Sequence, residues 1–507
     1  MRHEGGRAMT LSDLQQSGVG GQLIGSGRQV LTGVKHDSRA VEAGDLFVAI
    51  GGAKHDGAKF VGDALGRGAV AVIAERALDD VDAQLVVDDA RLALGRAAEL
   101  VYGNPTSRLP TLGVTGTNGK TTIAYLVARA VEAAGAVPAV IGTTGLFVGS
   151  DQYESAHTTP EGDDIARFAK RAVEEGATHL VAEVSSHGLH LRRVDAVDFD
   201  VAAFTNLSRD HLDYHGTVEA YGEAKARLFT ELGPRVSVIH IDDAFGAELA
   251  GRASGTVVGC SRRDPTAEVF ATEWSATRDG VRARVRTASG SWELESPMLG
   301  EHNLENLLVA MGCVEALGVD LGDALSSWAD APGSPGRLER VPHPRDVAVL
   351  VDYAHTPDAL RRVLEALREL TPGRLMVVFG AGGDRDRGKR PEMGRVAATT
   401  ADLCVVTSDN PRTEDPKAII EEVVAGISES SLPGVAFDAL AKVERGYLAE
   451  VDRARAIATA IGAARDGDTV LIAGKGHEDY QIVGSTRHRF DDREEAARII
   501  TSLEELG

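Results

Sequence analysis

The chain has 507 residues, too many for one hydrophobic core, so we expect two to four domains. Its formal net charge of −22 argues against nucleic acid as a partner, because such binding depends on neutralising phosphates. No apolar run is long enough to span a bilayer, and the amino terminus lacks the apolar stretch of a signal peptide. Cys260, Cys313 and Cys404 show neither metal spacing nor a disulfide framework, which favours a reducing cytoplasm.

The first part of the chain mixes short strands and helices. "GDLFVAI" (44–50) and "GAVAVIAE" (68–75) predict buried strands, and "KFVGDALGRG" predicts a helix between them. "YGNPTSRLP" carries two prolines and several turn formers, so we place a linker there. We therefore expect an N-terminal α/β domain over residues 1–108.

A second α/β region follows the linker. "TLGVTG" predicts a strand, and "TTIAYLVARAVEAAG" after it predicts an alanine-rich helix. "HLVAEVSS", "FDVAAFTNL" and "VSVIHID" predict further strands that alternate with helices, which indicates a mainly parallel sheet. The stretch "WADAPGSPGRLERV" (328–341) is rich in Gly and Pro and marks the next break. The central domain is expected over residues 109–335.

The β–α alternation restarts after this break. "VAVLVDYAH", "RLMVVFGAGG", "ADLCVVTSD" and "DTVLIAGKG" predict strands that each run into a polar or Gly-rich loop. Open parallel sheets bind ligands at the carboxyl ends of their strands, so all four loops are candidate ligand contacts. We expect a Rossmann-like C-terminal domain over residues 336–507, and an α/β fold of three domains in all.

The segment "GVTGTNGKTT" (113–122) has the strand–loop–helix setting of a phosphate-binding loop. It departs from the common P-loop pattern, because Val114 stands where that pattern has its first glycine. Glycines let backbone N–H groups converge on phosphates, and the positive end of the following helix adds to the attraction. Lys120 would reach the terminal phosphates and the Thr121 hydroxyl would bind Mg²⁺; a Gly-rich turn that merely opens a helix is the alternative.

"TGTNGKT" resembles the loop of the Mur ligase family, ATP-dependent amide-forming enzymes of cell-wall precursor synthesis. Further motifs in family order extend the resemblance from about Asp37 to Glu478. It implies that ATP lies between the second and third domains. The implied ATP contacts are Gly116, Thr117, Asn118, Gly119, Lys120, Thr121, Thr122, Asn303, Arg337 and Asp352.

The resemblance also implies a metal and phosphoryl-transfer group formed by Lys120, Glu183, His211 and Lys225. Glu183 of "AEVSSHGL" and His211 of "TNLSRDHLDYHG" match Mg²⁺ ligands, with the Thr121 hydroxyl, and Lys225 matches a carbamylated lysine that helps to hold a second metal ion. The residues alone leave other interpretations open. Glu183 could be a cap, His211 a solvated loop histidine, and Lys225 a surface helix lysine.

"KHDSRAVEAGDLFVAIGGAKHDGAKF" resembles the nucleotide-sugar domain of the family members that add the third amino acid. The alternative is two ordinary turns. "HTTPEG" matches the family's T-T-P loop, although His157 and Leu191 depart from the family pattern. The resemblance implies contacts to the UDP-sugar and muramoyl-peptide substrate from Ser38, Ala53, Lys54, His55, Thr158, Thr159, Ser185 and Arg193.

The identity of the third amino acid is expected to depend on "SDNPRTEDP" and "GKGHE". A guanidinium offers a bidentate fork for a carboxylate; meso-diaminopimelate has a carboxylate at its far end and lysine has none. D-N-P-R is the form seen in diaminopimelate-adding members of the family. The implied diaminopimelate contacts are Arg385, Asp409, Asn410, Arg412, Gly474 and Glu478.

The resemblance as a whole implies an ADP-forming acid–amino-acid ligase with Mg²⁺. It would join meso-diaminopimelate to the D-Glu γ-carboxylate of UDP-N-acetylmuramoyl-L-Ala-D-Glu through an acyl phosphate. We expect a cytoplasmic monomer with neither nucleic acid nor a membrane as partner. The alternatives are a lysine-adding member of the family, a folylpolyglutamate-type ligase, a P-loop nucleotide switch and a UDP-sugar-binding protein.

Overall fold

The computed structural model describes residues 8–52, 56–153, 155, 157–331 and 333–504. The chain divides into two compact units. The first contains Met1–Thr272, Val285–Trp292 and Glu305–Trp328, and the second contains Glu273–Arg284, Glu293–Leu304 and Ala329–Gly507. Within the described ranges, the helices are too short or too polar to cross a membrane.

The N-terminal elements form a small sheet with its own core. They are α1 (Leu11–Leu14), β1 (Gln22–Gly25), β2 (Gly33–Lys35), β3 (Asp45–Val48), α2 (Val61–Gly66), β4 (Ala71–Ala74), β5 (Ala83–Val86) and α3 (Ala90–Val101). The strand order is β1-β5-β4-β3-β2, with β1 antiparallel to β5 and the other neighbours parallel. Apolar side chains from the strands and α3, such as Leu46, Ile73 and Leu94, pack together in the core.

The middle of the chain alternates strands and helices for most of its length. Its first elements are β6 (Thr111–Thr115), α4 (Lys120–Ala133), β7 (Pro138–Gly142), β8 (Gly145–Val148), β9 (Asp151–Tyr153), α5 (Gly162–Glu174), β10 (His179–Glu183), α6 (Ser186–His190) and β11 (Val201–Phe204). The remainder are α7 (Leu212–His215), α8 (Val218–Thr230), β12 (Val236–His240), α9 (Ala244–Ala250), β13 (Thr256–Ser261), β14 (Val269–Thr277), β15 (Gly280–Thr287), β16 (Gly290–Ser296), α10 (Glu301–Ala316) and α11 (Leu321–Trp328).

These strands form one sheet in the order β16-β15-β14-β13-β12-β11-β6-β10-β7-β8-β9. Within the stretch β13-β12-β11-β6-β10-β7 of this order, each pair of adjacent strands is parallel. The carboxyl ends of β6, β10, β7 and β11 therefore meet at one edge of the sheet, where parallel sheets place their ligand sites.

The C-terminal elements form a third sheet. They are β17 (Glu339–Arg340), β18 (Ala348–Asp352), α12 (Pro357–Leu370), β19 (Leu375–Phe379), α13 (Lys389–Thr400), β20 (Leu403–Val406), α14 (Pro416–Ser428), β21 (Gly446–Ala449), α15 (Arg453–Ala463), β22 (Thr469–Ala473), β23 (Tyr480–Val483), β24 (Thr486–Arg489) and α16 (Asp492–Glu504). The sheet order is β17-β18-β22-β19-β20-β21, and only β17 is antiparallel to its neighbour.

The predicted α/β fold with mainly parallel sheets is confirmed, and the predicted central strands are present. The antiparallel hairpin of β23 and β24 was not predicted. All four residues of β24 are exposed, so the strand lacks the alternation of apolar and polar residues that predicts a half-buried strand. The domain limits at residues 108 and 335 stay predictions.

Candidate active site

The phosphate-loop segment connects β6 to α4, and its glycines lie where a side chain would not fit. Gly116 has φ +148°, and a Cβ atom built on it would lie 1.8 Å from Thr205 Oγ1. Gly119 has φ +87°, and its Cβ would lie 2.3 Å from Asn306 Oδ1. Val114 is a fully buried residue of β6. The departure from the common P-loop pattern therefore falls on a core position of the strand.

Lys120 is the first residue of α4, and its ammonium folds back over the loop. Its Nζ donates to the carbonyl oxygens of Gly116 and Thr117, at 2.9 Å each. The loop is held from β11, because Thr205 Oγ1 donates to the Asn118 carbonyl oxygen at 2.5 Å. The loop thus has a defined shape with a cation and a helix N-terminus beside it, which suits a phosphate group.

Glu183, the last residue of β10, receives three hydrogen bonds from two threonines. The Thr121 hydroxyl donates to Oε2 at 2.9 Å. The Thr143 backbone N–H donates to Oε1 at 2.9 Å, and the Thr143 hydroxyl donates to Oε2 at 3.1 Å. Sequence reasoning missed Thr143; the available signal was its place directly after β7, a strand that ends beside β10.

Lys225 is a buried residue of α8, so its interpretation as a surface lysine is wrong. Its Nζ donates to the Gly116 carbonyl oxygen at 2.8 Å and lies 4.3 Å from the centre of the Tyr221 ring. Burial lowers the pKa of the Lys225 amine well below its usual value, and the Lys120 ammonium lowers this pKa further. The arrangement favours an uncharged amine next to the phosphate loop.

His211 lies in the loop that leads into α7, with φ +51° and about half of its side chain exposed. Its ring centre is 4.9 Å from that of His187 and 6.0 Å from that of Tyr221. The residues that the structure describes include two clusters of three metal-ligating side chains, and neither contains Glu183 or His211. The structure therefore does not bring the two predicted metal ligands into one ligand cluster.

The first predicted UDP-sugar contact, Ser38, is buried in a short 3₁₀ helix that follows β2. Ala53, Lys54 and His55 lie outside the described residues. Two residues before Ser38, the His36 ring nitrogen Nδ1 pairs with Asp163 Oδ1 of α5 at 2.8 Å. This pair joins the nucleotide-sugar segment to the helix that follows the T-T-P loop.

The predicted peptide contacts lie next to Glu183. The Thr159 hydroxyl donates to the Glu183 carbonyl oxygen at 2.9 Å and accepts from the Ser185 N–H at 3.0 Å. Thr158 Oγ1 lies 3.2 Å from Thr143 Oγ1, and Ser185 Oγ accepts from the Gly188 N–H. The structure therefore brings the T-T-P loop and Ser185 together with the carboxylate.

Arg193 is held among buried groups on the same side. Its Nη1 donates to the Thr159 carbonyl oxygen at 3.0 Å, and its Nε donates to Glu161 Oε1 at 2.9 Å. Arg91 of α3 donates to the same oxygen of Glu161 at 2.5 Å. Glu161 was not predicted as a site residue, although it follows T-T-P directly. It fixes the position of Arg193 relative to that loop.

Three predicted nucleotide contacts belong to the second unit. Asp352 is buried at the end of β18, and it accepts hydrogen bonds from the Leu338 and Ala354 N–H groups at 2.8 Å each. Burial raises the pKa of the Asp352 carboxyl. The Arg337 guanidinium lies 4.9 Å from the centre of the Tyr353 ring, and Asn303 Nδ2 donates to the carbonyl oxygen of Leu299.

The predicted diaminopimelate residues largely converge at the carboxyl end of the third sheet. Asp409 and Asn410 follow β20, and Asn410 Nδ2 donates to Glu478 Oε2 at 2.9 Å. Burial raises the pKa of the Glu478 carboxyl, which the Lys475 ammonium opposes. The Gly474 N–H after β22 donates to the Asp352 carbonyl oxygen at 3.0 Å, so this group borders Asp352 within the same unit.

Arg412 and Arg385 lie on the adjoining loops. Arg412 has φ +50°, a left-handed conformation that is uncommon outside glycine, and its Nη1 donates to the Gly383 carbonyl oxygen at 2.9 Å. The Arg412 N–H donates to the Ile482 carbonyl oxygen, so the unpredicted hairpin supports this residue. Arg385 is exposed, and its Nη1 donates to the Asp384 carbonyl oxygen at 3.2 Å.

Comparison with known families agrees with this architecture. The Mur ligase family, catalytic domain, matches residues 30–103. The Mur ligase middle domain matches residues 114–314. The Mur ligase, glutamate ligase domain, matches residues 336–476. The three matches cover most of the chain, one match to each sheet.

Individual proteins are similar over nearly the full length. A UDP-N-acetylmuramoyl-L-alanyl-D-glutamate–2,6-diaminopimelate ligase of Geobacter metallireducens is 45% identical over 518 aligned positions, covering 98% of this chain and 100% of that protein. The enzyme of the same name from Geobacter sulfurreducens is 46% identical, covering 92% of this chain and 94% of that protein. A solved structure with this enzyme name has a TM-score of 0.72 at 35% identity, covering 98% of this chain and 100% of that one. The chain belongs to the Mur ligase family and has its three-domain fold.

Proposed function

We propose that this chain is an ATP-dependent ligase of peptidoglycan precursor synthesis. It would join meso-diaminopimelate to the γ-carboxylate of the D-Glu residue in UDP-N-acetylmuramoyl-L-Ala-D-Glu. Relatives with this enzyme name, aligned over nearly the whole chain, support the activity. The proposal that the amino-acid substrate is diaminopimelate rests on one observation. Asp409, Asn410 and Glu478 lie together at one sheet edge, and Arg412 lies on the loop beside them.

That grouping suits an amino acid with a charged pair at its far end. Carboxylates such as Glu478 attract the distal ammonium of diaminopimelate, and a guanidinium such as Arg412 attracts its distal carboxylate. L-Lysine would leave Arg412 without a carboxylate partner. A site built to pair with a polar group of its substrate discriminates against an analogue that lacks that group.

The phosphoryl-transfer step is proposed for the loop that joins β6 and α4. The γ-carboxylate of D-Glu attacks the γ-phosphorus of ATP, an acyl phosphate forms, and ADP leaves. Lys120 and the loop N–H groups would hold and neutralise the transferring phosphoryl group. Reactions of this kind depend mainly on positioning and electrostatics, and no covalent enzyme nucleophile is required.

The residues present fit a divalent metal ion. Glu183 Oε2 lies 2.9 Å from Thr121 Oγ1 and 3.1 Å from Thr143 Oγ1, so a carboxylate and hydroxyls converge, and these hard oxygen donors suit Mg²⁺. We propose that Thr121, Glu183 and His211 are ligands of Mg²⁺, and that Lys225 helps to hold a second metal ion. Mg²⁺ bound with ATP would offset negative charge on the phosphate oxygens.

Lys225 would take part as a carbamate. Its buried, uncharged amine next to the Gly116 carbonyl would add CO₂ and lose a proton, which leaves a carbamate anion. That anion could help to hold a metal ion, as an ammonium could not.

The amide bond forms in the second step. The amine at the L-centre of diaminopimelate attacks the acyl carbon, the tetrahedral species collapses, and phosphate leaves while the nitrogen loses its proton. Thr158, Thr159, Ser185 and Arg193 are proposed to hold the muramoyl peptide, and Ser38 with Ala53, Lys54 and His55 to hold the uridine part. The cytoplasmic location and the monomeric state stay predictions.

The test is phosphate release from ATP and Mg²⁺ with the UDP-muramoyl dipeptide, adding meso-diaminopimelate or L-lysine. We expect release with diaminopimelate only, and a product heavier by one diaminopimelate residue in mass spectrometry. Release with lysine instead would keep the ligase and overturn the role of Arg412. Phosphate release that ignores both amino acids would favour a nucleotide switch.

A further inference from the structure

Lys475 is a fully buried lysine that none of the proposed steps uses. It follows Gly474 at the end of β22, and its ammonium points into the group of proposed diaminopimelate residues. The Nζ atom lies 3.5 Å from Asn410 Oδ1, 3.5 Å from Glu478 Oε2 and 3.8 Å from Asp409 Oδ1. A buried ammonium requires partners that offset its charge, and here those partners are three proposed ligand contacts.

Two of the three partners, Asp409 and Glu478, are carboxylates. Asp409 Oδ1 is buried and makes no hydrogen bond within the described part of the chain. Burial has the largest effect on the pKa of the Glu478 carboxyl and raises it. The Lys475 ammonium lowers this pKa, and the Asp409 carboxylate raises it. The two carboxylates thus repel each other, and Lys475 opposes that repulsion.

Arg453, another buried cation near these residues, is already balanced by a carboxylate. Arg453 pairs with Asp492 at 2.7 Å, and both side chains are fully buried. Asn410 is held on two sides, because its Oδ1 also accepts from the Ile482 N–H at 2.9 Å. Lys475 is therefore a charged link between the loop after β20 and the loop after β22, beside the hydrogen bond from Asn410 Nδ2 to Glu478 Oε2.

We propose that Lys475 is a positioning residue that determines recognition of the amino-acid substrate. Its ammonium holds Asp409, Asn410 and Glu478 in the arrangement that receives the distal ammonium of diaminopimelate. Lys475 itself does not contact the reacting atoms. This inference rests on the proposed function, since it concerns the same amino-acid site.

The test is steady-state kinetics of the full-length Lys475→Met variant, with each substrate varied in turn. We expect KM for meso-diaminopimelate to rise by about ten- to a hundredfold, because the carboxylates of Asp409 and Glu478 lose their shared cation. The KM values for ATP and for the UDP-muramoyl dipeptide should stay within about twofold of the wild-type values, because the three partners of the Lys475 ammonium are all proposed diaminopimelate contacts. Lys475→Arg keeps the charge but displaces it. Its KM for diaminopimelate should therefore fall between those of the wild type and of Lys475→Met.

Lys417→Met is the control, because it removes an exposed lysine of the same domain and should leave all three KM values unchanged. An unchanged KM for diaminopimelate in Lys475→Met, or an equal rise in all three KM values, would overturn the inference. If Lys475→Met does not fold, Lys475→Arg decides: a selective rise supports the positioning role, and unchanged values contradict it. Failure of the wild-type protein to use diaminopimelate would instead contradict the proposed function.

Discussion

The hydroxyl of Thr121 donates a hydrogen bond of 2.9 Å to Glu183 Oε2. Thr121 lies in the first turn of the helix after the phosphate loop, and Glu183 ends the neighbouring parallel strand. The sheet topology therefore places a hydroxyl and a carboxylate side by side, although 62 positions separate them in the chain. This pair is the core of the proposed metal and phosphate site.

We expect Glu183→Gln to reduce kcat by about a hundredfold or more, because the amide lacks the charge needed to hold a cation at this edge. The Mg²⁺ concentration for half-maximal activity should rise as well. Both are measured by phosphate release across a Mg²⁺ titration. Glu219→Gln, at an exposed position of α8, is the control and should behave as the wild type does. Unchanged Mg²⁺ dependence in Glu183→Gln would remove Glu183 from the metal site.

Lys225→Ala should lose activity by about a hundredfold or more, since the proposed carbamate would be lost. Its folding stability should be retained, because a buried amine is itself costly to keep. Added acetate should restore part of the activity by supplying a carboxylate in the vacated space. The direct measurement is a carbamate ¹³C signal in wild-type protein supplied with ¹³C-bicarbonate, absent from Lys225→Ala. Full activity of Lys225→Ala without acetate would rule out this role.

Arg412→Ala should raise KM for meso-diaminopimelate by about ten- to a hundredfold, since a bidentate carboxylate contact is lost. Arg412→Lys should restore this KM only in part, because an ammonium cannot form the planar fork. KM for ATP should not change in either variant. Arg395→Lys, an exposed arginine of α13, is the control. Wild-type KM for diaminopimelate in Arg412→Ala would show that another group binds the distal carboxylate.

Glu99 should make folding stability depend on pH. Burial raises the pKa of its carboxyl from 4.5 to about 7, so the folded state holds this proton more tightly than the unfolded state does. Its contribution is complete below pH 4.5 and is lost as pH rises towards about 7. Glu99→Gln should therefore gain stability relative to the wild type over this range, by about 3 to 4 kcal/mol once the Glu99 carboxyl is fully ionised.

The measurement is urea unfolding of both proteins between pH 4.5 and 8. The difference between their unfolding free energies should grow with pH and level off above about pH 7. Glu132→Gln, at an exposed position of α4, should show no such trend. A difference that stays constant with pH would mean that the Glu99 carboxyl titrates alike in both states.

Local sequence patterns were sufficient to predict that Lys120 follows a strand and a loop at the start of a helix. They were also sufficient to predict that Glu183 ends a strand. Strand and helix periodicity and the places of glycines act over a few residues, so they can be read without tertiary information. The motifs in their order also predicted membership of the Mur ligase family, which the comparisons confirm. The roles assigned to individual site residues remain predictions.

The sequence by itself therefore determined the three α/β sheets, the phosphate loop and the family. Only the tertiary structure decided that Lys225 is buried against Gly116, 109 positions away, and that Thr143 donates to Glu183. It also decided that Lys475 lies among Asp409, Asn410 and Glu478. The physical reason is that burial and hydrogen-bond partners depend on segments that are distant in the chain. No local pattern distinguishes a lysine on the surface from one enclosed by three oxygen atoms.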